Sequence, residues 1–314
     1  MVQGPVVVGV DGSPTSEEAL AWGLEVAASH GVPLEAVCAW DWVPPLLDVV
    51  LPDEQAAFSA AAEQTAKTVL DACLSRRPSD APPVHATARA VEGDPRTVLL
   101  AASSRAGLLV VGRHGVSALR RRLLGPALGS VAGACLTRSP APVAVLSPDP
   151  GTERSSSAPP ARVVVGVDGS PASVAALRWA ADHAAAVGAP LVAVLAWQLT
   201  TLSAPEAPRA DWSVPPISVW EDEARRLLDT TVETLASDRA AAVTRVPLHR
   251  PAAAGLLETV GPDDLLVLGE RGRGGFARLL LGSVSRQCAE HAPCPVVVVP
   301  GPGGHRLPAA AEAS

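Results

Sequence analysis

The chain has 314 residues, 48% of them hydrophobic and 3% aromatic with no tyrosine, and a net charge of −7. That length allows two domains of ordinary size, each able to bury a core. The acidic balance argues against nucleic acid as a partner, because binding a phosphate backbone needs a basic face, and no apolar run reaches the roughly 18 residues of a membrane span.

Residues 6–10 (VVVGV) are a short β-branched run, the pattern of a strand buried on both faces of a parallel sheet. The run soon meets Asp11, so it reads as a strand and not as a signal peptide. Ser13-Pro14-Thr15-Ser16-Glu17-Glu18 opens a helix, with Pro14 near the first turn and Thr15 with Glu18 as capping signals. Its inward face carries Ala19, Leu20, Gly23, Leu24 and Ala27. Further strands are predicted at 34–40, 84–91, 108–112 and 143–146, and helices over 54–76, 95–104 and 131–137. Strand–helix alternation of this kind predicts right-handed crossovers and a doubly wound α/β sheet.

The text then repeats. Val6-Val7-Val8-Gly9-Val10-Asp11-Gly12-Ser13-Pro14 returns letter for letter as Val163-Val164-Val165-Gly166-Val167-Asp168-Gly169-Ser170-Pro171. The same offset of 157 carries Trp22 onto Trp179, Ala39-Trp40 onto Ala196-Trp197, Gly112 onto Gly269 and Gly115 onto Gly272. A single offset held this long marks a duplicated domain. Strands of the second copy are predicted at 163–168, 191–197, 243–248, 265–269 and 296–299. The domains are therefore 1–147 and 162–300, joined by a linker at 148–161 rich in Pro and Ser and followed by a flexible tail at 301–314. The proline-containing segments 41–53 and 198–218 follow the second strand of each copy, where they would flank a ligand.

The five cysteines, Cys38, Cys73, Cys135, Cys288 and Cys294, have no zinc-site spacing. Cys38 and Cys135 lie in apolar runs and read as small core residues. Reduced thiols fit a cytoplasmic chain.

Chemistry concentrates after the fourth strand of the second copy. Gly269-Glu270-Arg271-Gly272 is followed, nine residues on, by Gly282-Ser283 and a helix beginning Val284-Ser285. Gly269 and Gly272 are expected to turn the backbone with positive φ and to let a ligand approach. Gly282-Ser283 places unpaired amides at a helix N-terminus, where an anion is stabilised, and Ser283 and Ser285 add hydroxyl donors. Asp168 ends the first strand, where a carboxylate accepts from a ribose hydroxyl or holds a metal-bound water. The arginines 120–122, Arg271, Arg273 and Arg278 gather in matching places of the two copies.

Asp168 with Gly-x2-Gly-x9-Gly-Ser after strand four resembles the universal stress protein family, over nearly the whole chain and in the manner of its tandem-domain members. The resemblance implies, for each half, a five-stranded parallel sheet of order 3-2-1-4-5 with helices on both faces, and ATP, with Mg2+, bound between strands one and four. Carried over by position, it implies that Asp168 meets the ribose and the backbone near Trp197 the adenine. Gly269, Gly272, Gly282, Ser283, Val284 and Ser285 would hold the phosphates. The matching positions of the first half are Asp11, Trp40, Gly112, Gly115, Gly129 and Ser130. That half departs from the pattern: Gly125 stands where Gly282 is expected but precedes Pro126, which has no N–H to donate. Gly129-Ser130 comes four residues later and Ala132 replaces Ser285, so the first site is altered by a four-residue insertion and the second is the better site.

A Walker loop, a dinucleotide fingerprint after strand one and a nucleophile elbow are all absent from the sequence. His114 reads as a surface residue. No side chain reads as a general base, so no catalytic residue and no metal ligand is assigned. The reading is an ATP-binding, non-enzymatic regulatory protein whose nucleotide orders the loop 271–281 for an unidentified protein partner. Two other readings stand beside it. One is a nucleotide-free assembly module, in which the strand at 296–299 pairs with that at 143–146 to make a pseudo-dimer within the chain. The other is slow ATP hydrolysis or self-phosphorylation. Further dimerisation, and binding by the loop with Pro126, are left open.

Overall fold

The computed structural model describes residues 2–41, 52–115, 128–147, 159–198, 216–273 and 281–302. Several sequence expectations therefore lie outside the described residues: the Gly125-Pro126 dipeptide, the arginines 120–122 and Arg278, most of the linker, and the tail beyond Pro302. What is described divides into two compact units, the second spanning Pro159–Pro302.

In the first unit, β1 (Val6–Gly9) is central. It pairs in parallel with β2 (Leu34–Trp40) on one side and β4 (Leu108–Gly112) on the other. Outside these lie β3 (Ala86–Glu92), paired with β2, and β5 (Val143–Leu146), paired with β4. The order is 3-2-1-4-5, as the resemblance implies. Val6, Val7, Val8, Leu108, Leu109 and Val110 are all fully buried, because helices cover both faces of the central strands. On one face lie α1 (Pro14–His30) and α2 (Pro52–Arg76); on the other lie α3 (Pro95–Ser103) and α4 (Ser130–Arg138). The inward face of α1 is the predicted one, and Gly23 lets it sit close: a Cβ there would lie 2.8 Å from Val8 Cγ2.

The second unit repeats the plan. β6 (Val163–Gly166) lies between β7 (Leu191–Trp197) and β9 (Leu265–Gly269), with β8 (Thr244–His249) and β10 (Val296–Val299) outermost, all parallel. Its helices are α5 (Pro171–Val187), α6 (Ile217–Val232), α7 (Ser237–Ala241), α8 (Ala252–Thr259) and α9 (Ser283–His291). The short α7 is not signalled in the sequence.

Two local expectations are corrected. The cap of α1 is Ser13, not Thr15: the Ser13 hydroxyl accepts from the Ser16 amide at 3.2 Å. Pro14 fixes the first helical position, which leaves the residue before it as the cap. Thr15 is buried instead. Ser170 and Pro171 repeat this at α5, and both helices end on a left-handed glycine, Gly31 and Gly188. The first strand of each unit also ends at Gly9 or Gly166, short of the carboxylate, although Val10 and Val167 still donate to the neighbouring strand.

All five cysteines are free and buried. Burial pushes the Cys135 and Cys288 thiols up to about 12, and burial, then the Asp11 charge, raises Cys38. These thiols behave as apolar packing groups.

A polar tie closes the start of the second unit. Arg162 reaches Asp264 with Nη2–Oδ2 at 2.6 Å and Nε–Oδ1 at 3.1 Å, and the buried Asp264 also accepts from the Gly261 amide at 2.9 Å. Replacing Asp264 with Ala leaves that amide and half of the guanidinium without their acceptor. Urea unfolding is expected to show a loss of about 2 kcal/mol.

Candidate functional site at the strand-order reversal

The strand order reverses between β1 and β4 and between β6 and β9, and open α/β sheets take ligands beyond the carboxyl ends of strands at such a point. In the second unit three segments meet there. The first is the turn Asp168-Gly169-Ser170. Gly169 has φ +75°, which only glycine adopts without strain, and Asp168 Oδ1 accepts from the Ser170 amide at 3.0 Å. The second is the loop leaving β9. Its Arg273 amide donates to Asp168 Oδ2 at 2.7 Å, and the Arg273 guanidinium lies 3.4 Å from the Gly169 carbonyl. The Ser170 hydroxyl donates to the Arg271 carbonyl at 3.3 Å. The third is the start of α9. Gly282 is its N-cap, donating to the Glu270 carbonyl at 2.7 Å, with no side-chain cap. The amides of Ser283, Val284 and Ser285 thus open a helix at its positive end.

The structure corrects the reason for the loop glycines. Neither Gly269 nor Gly272 has positive φ; among the described residues of this unit only Gly169 and Gly188 do. They are glycines because something else stands where a side chain would go. A Cβ on Gly269 would lie 2.7 Å from the Ala172 carbonyl carbon, and one on Gly272 would fall under 3.0 Å from Asp168 Oδ2. Asp168 therefore ties the first-strand turn to the glycine loop, a role not read from sequence.

The first unit is built alike. Gly12 has φ +77°, and Asp11 Oδ1 accepts from the Ser13 amide at 3.0 Å. A Cβ on Gly115 would lie 2.5 Å from Asp11 Oδ2, and one on Gly112 would meet Thr15 Cγ2 at 2.6 Å. Gly129 is the N-cap of α4 and donates to the Arg113 carbonyl at 2.9 Å, the counterpart of the Gly282–Glu270 bond. Gly129-Ser130 thus occupies the place of Gly282-Ser283, the extra four residues fall between Gly115 and Gly129, and Ala132 matches Ser285. Ser130 and Ser283 are both exposed. His114, read as a surface residue, is half-buried, and Arg113 beside it is buried.

Trp197 ends β7 with its ring buried and stacked on His249 at 4.3 Å and 16°. One face of the indole is thus taken by the imidazole. Trp40 is half-buried, and its carbonyl accepts from Gly93 at 2.8 Å. His249 and Ser170 are neighbours that the sequence reading missed, and Arg273, noted there only as one of a group of arginines, meets Asp168 through its amide. Ser170 was legible, since it stands in the duplicated Asp-Gly-Ser-Pro; His249 carries no local signal. The buried Glu270 pairs with Arg271 at 3.3 Å. No cluster of three or more His, Cys, Asp or Glu placed to hold a metal occurs among the described residues. No helix among them is long and apolar enough to cross a membrane.

This is the architecture of an α/β protein with two repeated units, each carrying a glycine loop and an uncapped helix start at the reversal of its sheet. The sequence matches the Universal stress protein family over residues 4–147 and again over 160–300. It is 32% identical to Universal stress protein Rv1996 of Mycobacterium tuberculosis, with 97% of each chain covered. It is 33% identical to a universal stress protein of Mycolicibacterium smegmatis, covering 94% of this chain and 96% of that one. A universal stress protein structure from Archaeoglobus fulgidus shares the fold with a TM-score of 0.57 at 20% identity, over 95% of this chain and 96% of that one. The chain belongs to the universal stress protein family, with two of its domains in tandem.

Proposed function

We propose that this chain is a cytoplasmic regulatory protein that binds ATP with Mg2+, chiefly in its C-terminal unit, and that a protein partner reads the loop after β9. The observation that carries the reading is the meeting of Asp168, the loop glycines and the uncapped start of α9 at one strand-order reversal. Each part fits a part of the ligand. The Asp168 oxygens accept one hydrogen bond apiece from the backbone and retain lone pairs for a ribose hydroxyl. The amides of Ser283 and Val284 suit phosphate oxygens. The backbone at Trp197 supplies groups for the edge of a base. Arg271 and Arg273 add positive charge beside the phosphates. In this reading the bound nucleotide acts as a signal and not as a substrate.

The test is to denature the purified protein and count the adenine nucleotide released per chain. About one per chain is expected if the second site alone is filled, and about two if both are. No nucleotide, together with no uptake of added Mg-ATP, would favour the assembly-module reading instead. ADP appearing at a rate that falls with Asp168→Ala would overturn the non-enzymatic part.

A further inference from the structure

We infer that Ser285 is a positioning residue of the C-terminal site: its hydroxyl fixes the direction in which the amides of Ser283 and Val284 point. The ligand rests on the nucleotide reading above; the geometry does not. Ser285 is buried, and its Oγ donates to the Gly269 carbonyl at 2.7 Å. The next carbonyl along, Glu270, accepts from the Gly282 amide at 2.7 Å. Two consecutive carbonyls at the end of β9 thus hold the first turn of α9, one through the backbone and one through a side chain. A single bond leaves a helix start free to rock about that point, whereas a second one fixes its direction. Amides held in direction before an anion arrives bind it without a reorganisation cost. In this assignment the hydroxyl proton goes to Gly269 rather than to a phosphate oxygen, the role that its place in the motif suggests.

The first unit is an internal control. It has the same backbone bond, Gly129 to Arg113, but Ala132 stands buried where Ser285 would be. Its Ser13 hydroxyl turns to Asp11 Oδ1 at 2.6 Å, while the matching Ser170 hydroxyl donates to the loop at Arg271. The C-terminal loop is thus held by hydroxyl ties that the first unit does not use. Alanine at this place in a folded unit also shows that the substitution is compatible with the fold.

The experiment compares Ser285→Ala and Ser285→Thr with the parent, all as the full chain. In the Ala variant the affinity for Mg-ATP is expected to fall five- to tenfold, the effect of one hydrogen bond. Affinity for adenosine, which has no phosphates, should be unchanged. Amide hydrogen exchange at Gly282 should rise by a similar factor, with the thermal midpoint within the few degrees one hydrogen bond costs. Threonine keeps the hydroxyl and should restore both readings. Unchanged exchange at Gly282 in the Ala variant, or equal losses for ATP and adenosine, would overturn the assignment. A parent protein that takes up no nucleotide would sink the nucleotide reading, while the Gly282 exchange would still decide the role of Ser285.

Discussion

Gly272→Ala is expected to lower the affinity of the C-terminal unit for Mg-ATP by about a hundredfold, roughly 2.7 kcal/mol. The added methyl would fall under 3.0 Å from Asp168 Oδ2, so either the carboxylate swings away or the loop lifts. Either movement breaks the Arg273–Asp168 bond that joins the two segments of the site. The proposed ribose acceptor and the glycine loop then no longer share one geometry, and a displacement of an ångström is enough to cost two orders of magnitude in a preorganised site. Titration calorimetry on the full chain measures the effect, and its internal comparison is Gly115→Ala, whose Cβ meets Asp11 Oδ2 at 2.5 Å in the first unit. A fitting control is Gly133→Ala. Gly133 lies within α4 with nothing within 4 Å of a Cβ, so alanine there should bind as the parent does and stabilise the helix by about 0.5–1 kcal/mol. Wild-type affinity in Gly272→Ala would mean that Asp168 and the loop do not act together.

The second large effect is on stability. Gly269→Ala is expected to cost the C-terminal unit about 3 kcal/mol in urea unfolding. The neighbours of its Cβ are backbone atoms: Ala172 C at 2.7 Å, Ala172 O at 2.8 Å and Ser173 N at 2.9 Å. They belong to the first turn of α5, which cannot retreat without lifting the helix from the sheet. Gly112→Ala, at the same place in the first unit, should cost less, about 2 kcal/mol, because there the neighbours are the Thr15 methyl at 2.6 Å and its Cβ at 3.1 Å, and the methyl can turn while the backbone stays. Two units that unfold separately would show the difference as a shift of one transition and not the other. Equal costs would refute the distinction between backbone and side-chain obstruction.

The repeat and the parallel sheet were legible because they are carried by long-range regularity, and the strand order came with the family resemblance. An offset of 157 and β-branched runs such as VVVG survive any uncertainty about local detail. The site was legible as a set of positions and misread as to cause. Gly269 and Gly272 were recognised, but sequence does not contain the neighbour that excludes their side chains. That neighbour, Ala172 in one case and Asp168 in the other, lies about a hundred residues earlier in the chain. For the same reason the sequence does not show the Gly269 carbonyl that the Ser285 hydroxyl faces. The cap of α1 failed on a smaller scale. Thr15 with Glu18 fits the spacing of a capping box, but the fixed φ of Pro14 puts the cap one residue before it, at Ser13. His249 could not have been found at all, since its contact with Trp197 exists only once β8 has been laid beside β7.

The bonds from Gly129 to Arg113 and from Gly282 to Glu270 close two loops of unequal length on the same frame. Closing a loop costs entropy that grows only with the logarithm of its length, so the four additional residues of the first unit add about 0.3 kcal/mol. Both ends of the span are pinned to a buried strand, and neither the sheet register nor the helix start registers the change. The length of the segment between the second glycine and the helix thus changes at little cost in closure entropy, while the helix start behind it keeps its bond to the strand end.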